Sequence, residues 1–168
     1  AQGPLDGTGL RFVPVNHSGN RSHSPEEAEK VIELVEQLFR EGTTWTNKRG
    51  EVAPLLLEHI LIVAPYNDQV SVLAQGLPAG ARVGTVDKFQ GQEAPVVIYS
   101  MTTSTPEDAP RGIEFLYSSN RLNVAISRAQ CMTVLVASPN LFDVQCKTPQ
   151  QIELANAFCR YLEMAQLI

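Results

Sequence analysis

Arg128 closes the segment Asn120-Arg121-Leu122-Asn123-Val124-Ala125-Ile126-Ser127-Arg128-Ala129. The spacing predicts a helix over 120–129 with Arg121, Val124 and Arg128 near one face, at i, i+3 and i+7. A planar, permanently charged guanidinium at a helix end can stabilise the negative charge that builds on a transferred phosphoryl group. A surface arginine, or an ion pair with Glu93 or Asp87, accounts for the same residue, and on composition alone that is the simpler reading. Gln90-Gly91-Gln92-Glu93 is a second candidate. Gly91 permits a tight backbone turn. Gln90 carries both donor and acceptor groups and so reads a ligand without adding charge. Glu93 can accept hydrogen bonds from sugar hydroxyls, or equally serve as a cap or ion-pair carboxylate. Just upstream, Thr85, Asp87 and Lys88 offer a hydroxyl and backbone amides to a phosphate oxygen, a contact that positions a strand without reading bases. Tyr66, within Pro65-Tyr66-Asn67, can stack on a base, worth about 1–3 kcal/mol, or simply cover the edge of a sheet.

Other chemistries find no support in the sequence. A phosphate loop reads G-x-x-x-x-G-K-[ST], and no Gly-Lys pair occurs here. No acidic pair follows an apolar strand to hold magnesium. Cys131, Cys146 and Cys159 are an odd set without C-x-x-C spacing, which reads as free thiols in a reducing compartment. His17, His23 and His59 show no metal spacing with them, so no metal site is expected.

These residues need elements to hold them. Leu10 to Val15 reads as a short strand. Ser24-Pro25-Glu26-Glu27 is a helix start, with a Ser cap, Pro in the first turn and Glu three residues after the cap. Ala28, Val31, Ile32, Val35, Leu38 and Phe39 follow at helical spacing; Glu26, Glu29, Glu33 and Glu36 take the solvated face, and Gly42 ends the helix. Thr43 to Glu51 reads as an exposed polar loop. His59–Ala64, Pro95–Met101 and Met132–Ala137 are apolar runs suited to strands buried on both faces. Arg82 to Thr85 is a shorter strand. Asn67 to Gln75 reads as a short helix with Val70, Leu73 and Ala74 inward, and Thr102 to Glu114 as a loop. Thr148-Pro149 repeats the cap-and-proline start for a last helix with Leu154, Phe158 and Leu162 as its stripe. Strands alternating with helices predict an α/β fold with a mainly parallel sheet covered on both faces. Ligands in such a sheet gather beyond the carboxyl ends of the strands, where Pro65-Tyr66-Asn67, Thr85-Val86-Asp87 and Thr102-Thr103-Ser104 are expected.

The 168 residues suit one domain, taken as 1–168 with an ordered core of about 10–165. The start, Ala1 to Gly7, lacks a charged-then-apolar signal pattern and reads either as a chain entered mid-protein or as an unstructured natural start. No apolar run approaches the roughly 18 residues of a membrane span, and no membrane partner is expected. Net charge is -5, which disfavours an autonomous polyanion binder. Arg82 to Gln130 is balanced, however, with Arg82, Lys88, Arg111, Arg121 and Arg128 against Asp87, Glu93, Glu107, Asp108 and Glu114. Contact with a polyanion is therefore expected to be local and weak.

Val83-Gly84-Thr85-Val86-Asp87-Lys88-Phe89-Gln90-Gly91-Gln92-Glu93 and the Asn120–Ala129 segment resemble motifs V and VI of the superfamily 1B helicases. This group includes the nonsense-mediated-decay RNA helicase and the Okazaki-fragment helicase–nuclease. Pro65-Tyr66-Asn67, with Gln69, resembles motif IV. The likeness runs from about Leu10 to Leu162 and implies a three-layer αβα RecA-like domain of P-loop NTPase type, the second of the two in such a motor. It implies that Arg128 reaches into an ATP site as the catalytic arginine. Glu93 would touch the ribose, with Gln90 and Gly91 beside it, and Gln90 would link the ATP and nucleic-acid sites. Pro65, Tyr66, Asn67, Thr85, Asp87 and Lys88 would face single-stranded DNA or RNA. ATP with Mg2+ would be held mainly by a first RecA-like domain of the same parent chain, absent from these residues, as is the arginine-bearing motif expected just upstream. The chain alone is then expected to be inactive as an ATPase. A nuclease domain fused to the parent, and a cytoplasmic, intracellular setting, complete what the resemblance implies. The rival is a non-catalytic α/β interaction module derived from a helicase.

Overall fold

The computed structural model describes residues 5–40 and 42–168, with the side chains of Ser119 and Asn120 left aside. Ala1 to Pro4, part of the start read from Ala1 to Gly7, lie outside them.

Six strands form one sheet in the order β5-β4-β6-β7-β1-β8, with every neighbouring pair parallel. They are β1 (Gly9–Pro14), β4 (Ile60–Val63), β5 (Arg82–Gly84), β6 (Ala94–Ser100), β7 (Ala129–Ala137) and β8 (Gln166–Leu167). Every residue of β4 and β6 is buried, as expected of strands covered on both faces. Two apolar layers flank the sheet. One holds α1 (Pro25–Arg40) and α2 (Asn67–Gly76) against Ile60, Ile62, Val96, Ile98 and Val134. The other packs Leu116 of α3 (Ile113–Leu116), Leu122 and Ala125 of α4 (Ser119–Arg128) and Phe158 of α5 (Pro149–Met164) against Leu61, Val97, Tyr99 and Leu135. The fold is therefore the expected three-layer α/β arrangement.

Several local expectations change. Thr43 to Glu51 is not simply a loop: β2 (Thr44–Thr46) and β3 (Val52–Pro54) pair as an antiparallel hairpin, with Trp45 packed against the core. On α1, Leu34 takes a buried place while Phe39 is exposed. On α2 the inward residue beside Leu73 is Gln69, and Ala74 is exposed. The last helix buries Phe158 and Tyr161, with Leu154 and Leu162 only half-buried. β8 was not anticipated.

The start of α1 departs most. Ser24 caps it as expected, accepting from the Glu27 amide at 3.2 Å. Glu27 does not reach back to complete a capping box. Its carboxylate is fully buried and accepts from the His17 ring (2.8 Å), the Ser100 hydroxyl (2.6 Å) and the Thr102 amide (2.8 Å). The other His17 nitrogen meets the Ser104 hydroxyl at 2.6 Å. Gln69 Oε1 accepts from the Ser24 amide, while its Nε2 donates to the Ser24 carbonyl and the Ser100 hydroxyl. Thr102 is the non-glycine residue with positive φ, 74°, among those described, a conformation that persists only where its surroundings enforce it. Thr102-Thr103-Ser104 is thus wholly buried and bonded, not an open ligand loop.

Removing a buried carboxylate strands its partners, at a cost of about 3–5 kcal/mol. Glu27→Ala should lower unfolding free energy by about 3 kcal/mol or more in urea denaturation; a loss below about 1 kcal/mol would show that Glu27 does not hold this loop.

Candidate nucleotide half-site

Helix α4 runs back against the strand direction and passes straight into β7, whose Ala129 sits beside Ala94 of β6. Arg128, the last helical residue, therefore lands next to the amino ends of β6 and β7. Pro65-Tyr66-Asn67 and Thr85-Val86-Asp87 follow the carboxyl ends of β4 and β5 as expected, whereas Arg128 lies toward the amino ends. The segment 85–93 descends alongside α4, and between them lies a cleft of about 140 Å³ lined by Val86, Asp87, Gln90, Arg121, Val124 and Arg128. The i, i+3, i+7 face read from the sequence is the wall of this cleft.

Two glycines shape the facing wall. A Cβ on Gly84 would run into the Lys88 side chain and the Phe89 ring. That close approach lets Lys88 Nζ fold back onto the Val83 carbonyl at 2.9 Å. Further on, Gln90 has φ -57° and ψ 125°, Gly91 has φ 79°, and the Gln92 amide bonds the Phe89 carbonyl at 3.0 Å. This is a type II turn, which demands a positive φ at its third residue. It leaves Gln90 exposed at the cleft and aims the Gln92 carbonyl at Arg128.

Arg128 donates from one terminal nitrogen to that carbonyl at 3.1 Å. Its Nε–H is buried and finds no acceptor among the described residues. Neither carboxylate offered as its ion-pair partner takes that place. Asp87 lies 3.6 Å from Arg121. Glu93 accepts from Gln130 at 3.1 Å and sits 3.7 Å from Lys48 at the tip of the β2–β3 hairpin. The Gln130 hydrogen bond, then the charge of Lys48, hold the Glu93 carboxyl below the usual carboxylate range. A partly buried guanidinium with an unmet donor is a site for an anionic oxygen. The cleft falls short of the roughly 300–1,000 Å³ of a site that encloses a whole ligand. It suits a phosphoryl group rather than an entire nucleotide. Magnesium does not fit: no cluster of metal-ligating side chains occurs among the described residues, and Asp87, the cleft's carboxylate, faces Arg121.

The strand-facing residues are dispersed. Pro65 is buried, Asn67 exposed, Thr85 half-buried, and Asp87 and Lys88 exposed. Tyr66 is only 8 % exposed, its ring stacked on Phe115 at 5.6 Å. In this structure the Tyr66 ring covers the sheet edge against Phe115. Burial pushes its phenol up. The sequence reading passed over Lys48, Gln130 and Phe115. Lys48 sat in an apparent loop, Gln130 beyond the motif, and Phe115 in a stretch without periodicity.

Residues 12–140 match the AAA domain family. The chain is 31 % identical over 145 residues to the "Probable RNA helicase armi" of Drosophila melanogaster, covering 79 % of this chain and 11 % of that protein. It is 30 % identical over 131 residues to the "Regulator of nonsense transcripts 1 homolog" of Arabidopsis thaliana, covering 78 % and 10 %. It is 28 % identical over 120 residues to the "DNA replication ATP-dependent helicase/nuclease JHS1" of the same plant, covering 71 % and 8 %. The chain thus spans about a tenth of the length of these relatives.

Gln130→Ala removes the largest influence on Glu93. The Glu93 carboxyl should then titrate at higher pH in a carbon-detected NMR titration; an unmoved titration curve would contradict the Gln130–Glu93 bond.

Proposed function

The chain belongs to the AAA domain family, as a superfamily 1B helicase domain, and from that premise we propose that it is the second motor domain of an ATP-driven, nucleic-acid-translocating helicase. Its relatives bear the names of ATP-dependent helicases, so ATP is the substrate this domain helps to turn over. In this reading the cleft is half of the ATP site. Arg128 meets the transferred phosphoryl group, Gln90 and Gly91 border it, and Glu93 leaves Lys48 and Gln130 to accept from the ribose. A phosphate-loop domain supplies the remaining contacts and the magnesium site, for which no cluster of ligands occurs among the described residues. Single-stranded nucleic acid lies across the loops carrying Asn67, Thr85 and Lys88. A single domain over 1–168, an intracellular setting and a first RecA-like domain of the same parent chain belong to the same proposal.

One observation carries it: the unmet, buried Nε–H of Arg128 in a cleft of phosphoryl size. As charge spreads over the equatorial oxygens in the transition state, a fixed planar cation becomes more strongly bound than in the ground state. Lysine is a compact charge on a flexible stem and does not reproduce the fork.

The 168-residue chain alone should show no ATP turnover above background. In a protein joining it to its phosphate-loop domain, Arg128→Ala should lower kcat by about 10³-fold or more, with Arg128→Lys rescuing little and nucleotide affinity falling far less. Turnover by the isolated chain, or a kcat within a few-fold of the parent, would overturn the half-site reading. The second result would favour the non-catalytic module.

A further inference from the structure

Phe115 gathers two positive charges on one ring. The guanidinium carbons of Arg111 and Arg121 lie 4.1 Å and 4.2 Å from its centroid, well inside the roughly 6 Å reach of a cation–π contact. The two charges are therefore within about 8 Å of each other, no farther than the Debye length at physiological salt. Arg121 has Asp87 at 3.6 Å, a carboxylate 77 % exposed. Arg111 is exposed, and among the described residues it has no ion pair and no hydrogen-bond acceptor. The nearby carboxylate of Glu114 bonds Gln151 instead. Two like charges are thus fixed together while the planar fork of Arg111 keeps its five donors unspent.

We propose that Arg111, seated on Phe115 beside Arg121, binds a backbone phosphate of a single strand. This deepens the nucleic-acid half of the proposed function and rests on it. Three features favour a strand over the nucleotide. Phe115 also stacks on Tyr66, which follows β4 at the carboxyl edge. The charges of Arg111 and Arg121 both act on the Tyr66 phenol. Arg111 lines no part of the Arg128 cleft, whereas Arg121 does. Positive φ at Gly112, 78°, turns the chain between Arg111 and α3, and Arg111 lies over the ring four residues further on. The stacked guanidinium is ordered before any ligand arrives, so less freedom is lost on binding.

A strand phosphate carries a signature that packing does not. Each phosphate neutralised on a single strand contributes about −0.7 to the slope of log affinity against log salt concentration. The test titrates the 168-residue chain with a fluorescent 20-nucleotide single strand across a salt series, and separately with a fluorescent ATP analogue. Arg111→Gln should weaken strand binding and make the slope shallower by about 0.7, with melting temperature and nucleotide affinity unchanged. Arg111→Lys keeps the charge and should keep the slope. An unchanged slope in Arg111→Gln overturns the proposal while leaving the nucleic-acid reading standing. A fall in nucleotide affinity with an unchanged strand slope overturns it in favour of a nucleotide phosphate. No strand binding by the unsubstituted chain at any salt overturns it together with the nucleic-acid reading.

Discussion

A fully buried carboxyl group, bonded to His17, Ser100 and Thr102, organises this domain. Glu27 sits at the start of α1 yet binds the end of β6, through Ser100 and Thr102, and the loop after β1, through His17. A buried carboxyl group is costly unless it is hydrogen-bonded, and here three partners converge on it. The geometry that satisfies Glu27 also fixes Thr102 at a φ that its side chain disfavours. Ser104 is then tied to Asn20 and His17, and Thr103 to the Arg21 carbonyl. Gln69 draws α2 into the same network. Helices on one face of the sheet are thereby locked to the loop that leads to Phe115 and α4 on the other. Apolar layers give the domain its stability; this polar joint sets where its loops go.

The cleft depends on chain direction. In a parallel sheet, the helix before a strand must return toward the amino ends of the strands. Because α4 runs into β7 without a connecting loop, its last residue has no choice of position. Arg128 is delivered beside residues 92–94, while Arg121, near the other end of the helix, meets Asp87 and Phe115. One helix thus carries an arginine to each of two places. Phe115 touches both Arg121 and Tyr66, so the two places share an aromatic neighbour.

Much of this was legible in the sequence where side-chain character and burial agree. Ile60 to Val63 and Val96 to Ser100 announce strands because both their faces are covered. Ser24-Pro25 and Thr148-Pro149 announce helix starts because capping chemistry is local; Thr148 accepts from the Gln151 amide as its pattern implies. The Arg121, Val124, Arg128 face follows from helical period alone. Legibility failed where burial contradicts character. Glu27 reads as a capping carboxylate and Gln69 as a motif residue beside Pro65-Tyr66-Asn67, yet both are buried because partners from distant segments satisfy them. The β2–β3 hairpin is too short, and Pro54 too unlike a strand residue, for a pattern to emerge. Which end of the sheet holds Arg128 depends on the direction of α4, which local spacing does not encode. The pairing of Glu93 with Gln130 and Lys48 is likewise a product of three segments meeting.

The unmet donor on Arg128 also concerns the stability of the domain. The Nε–H of Arg128 has no acceptor among the described residues, while its charge is felt by the Glu93 carboxyl; an anion bound in the cleft would meet that open donor. Ligand occupancy and resistance to unfolding are then linked quantities: a ligand at a hundred times its dissociation constant adds about 2.7 kcal/mol to the folded state. If a simple tetrahedral oxyanion occupies the cleft as proposed, the same linkage would make it raise the resistance of this fold to unfolding.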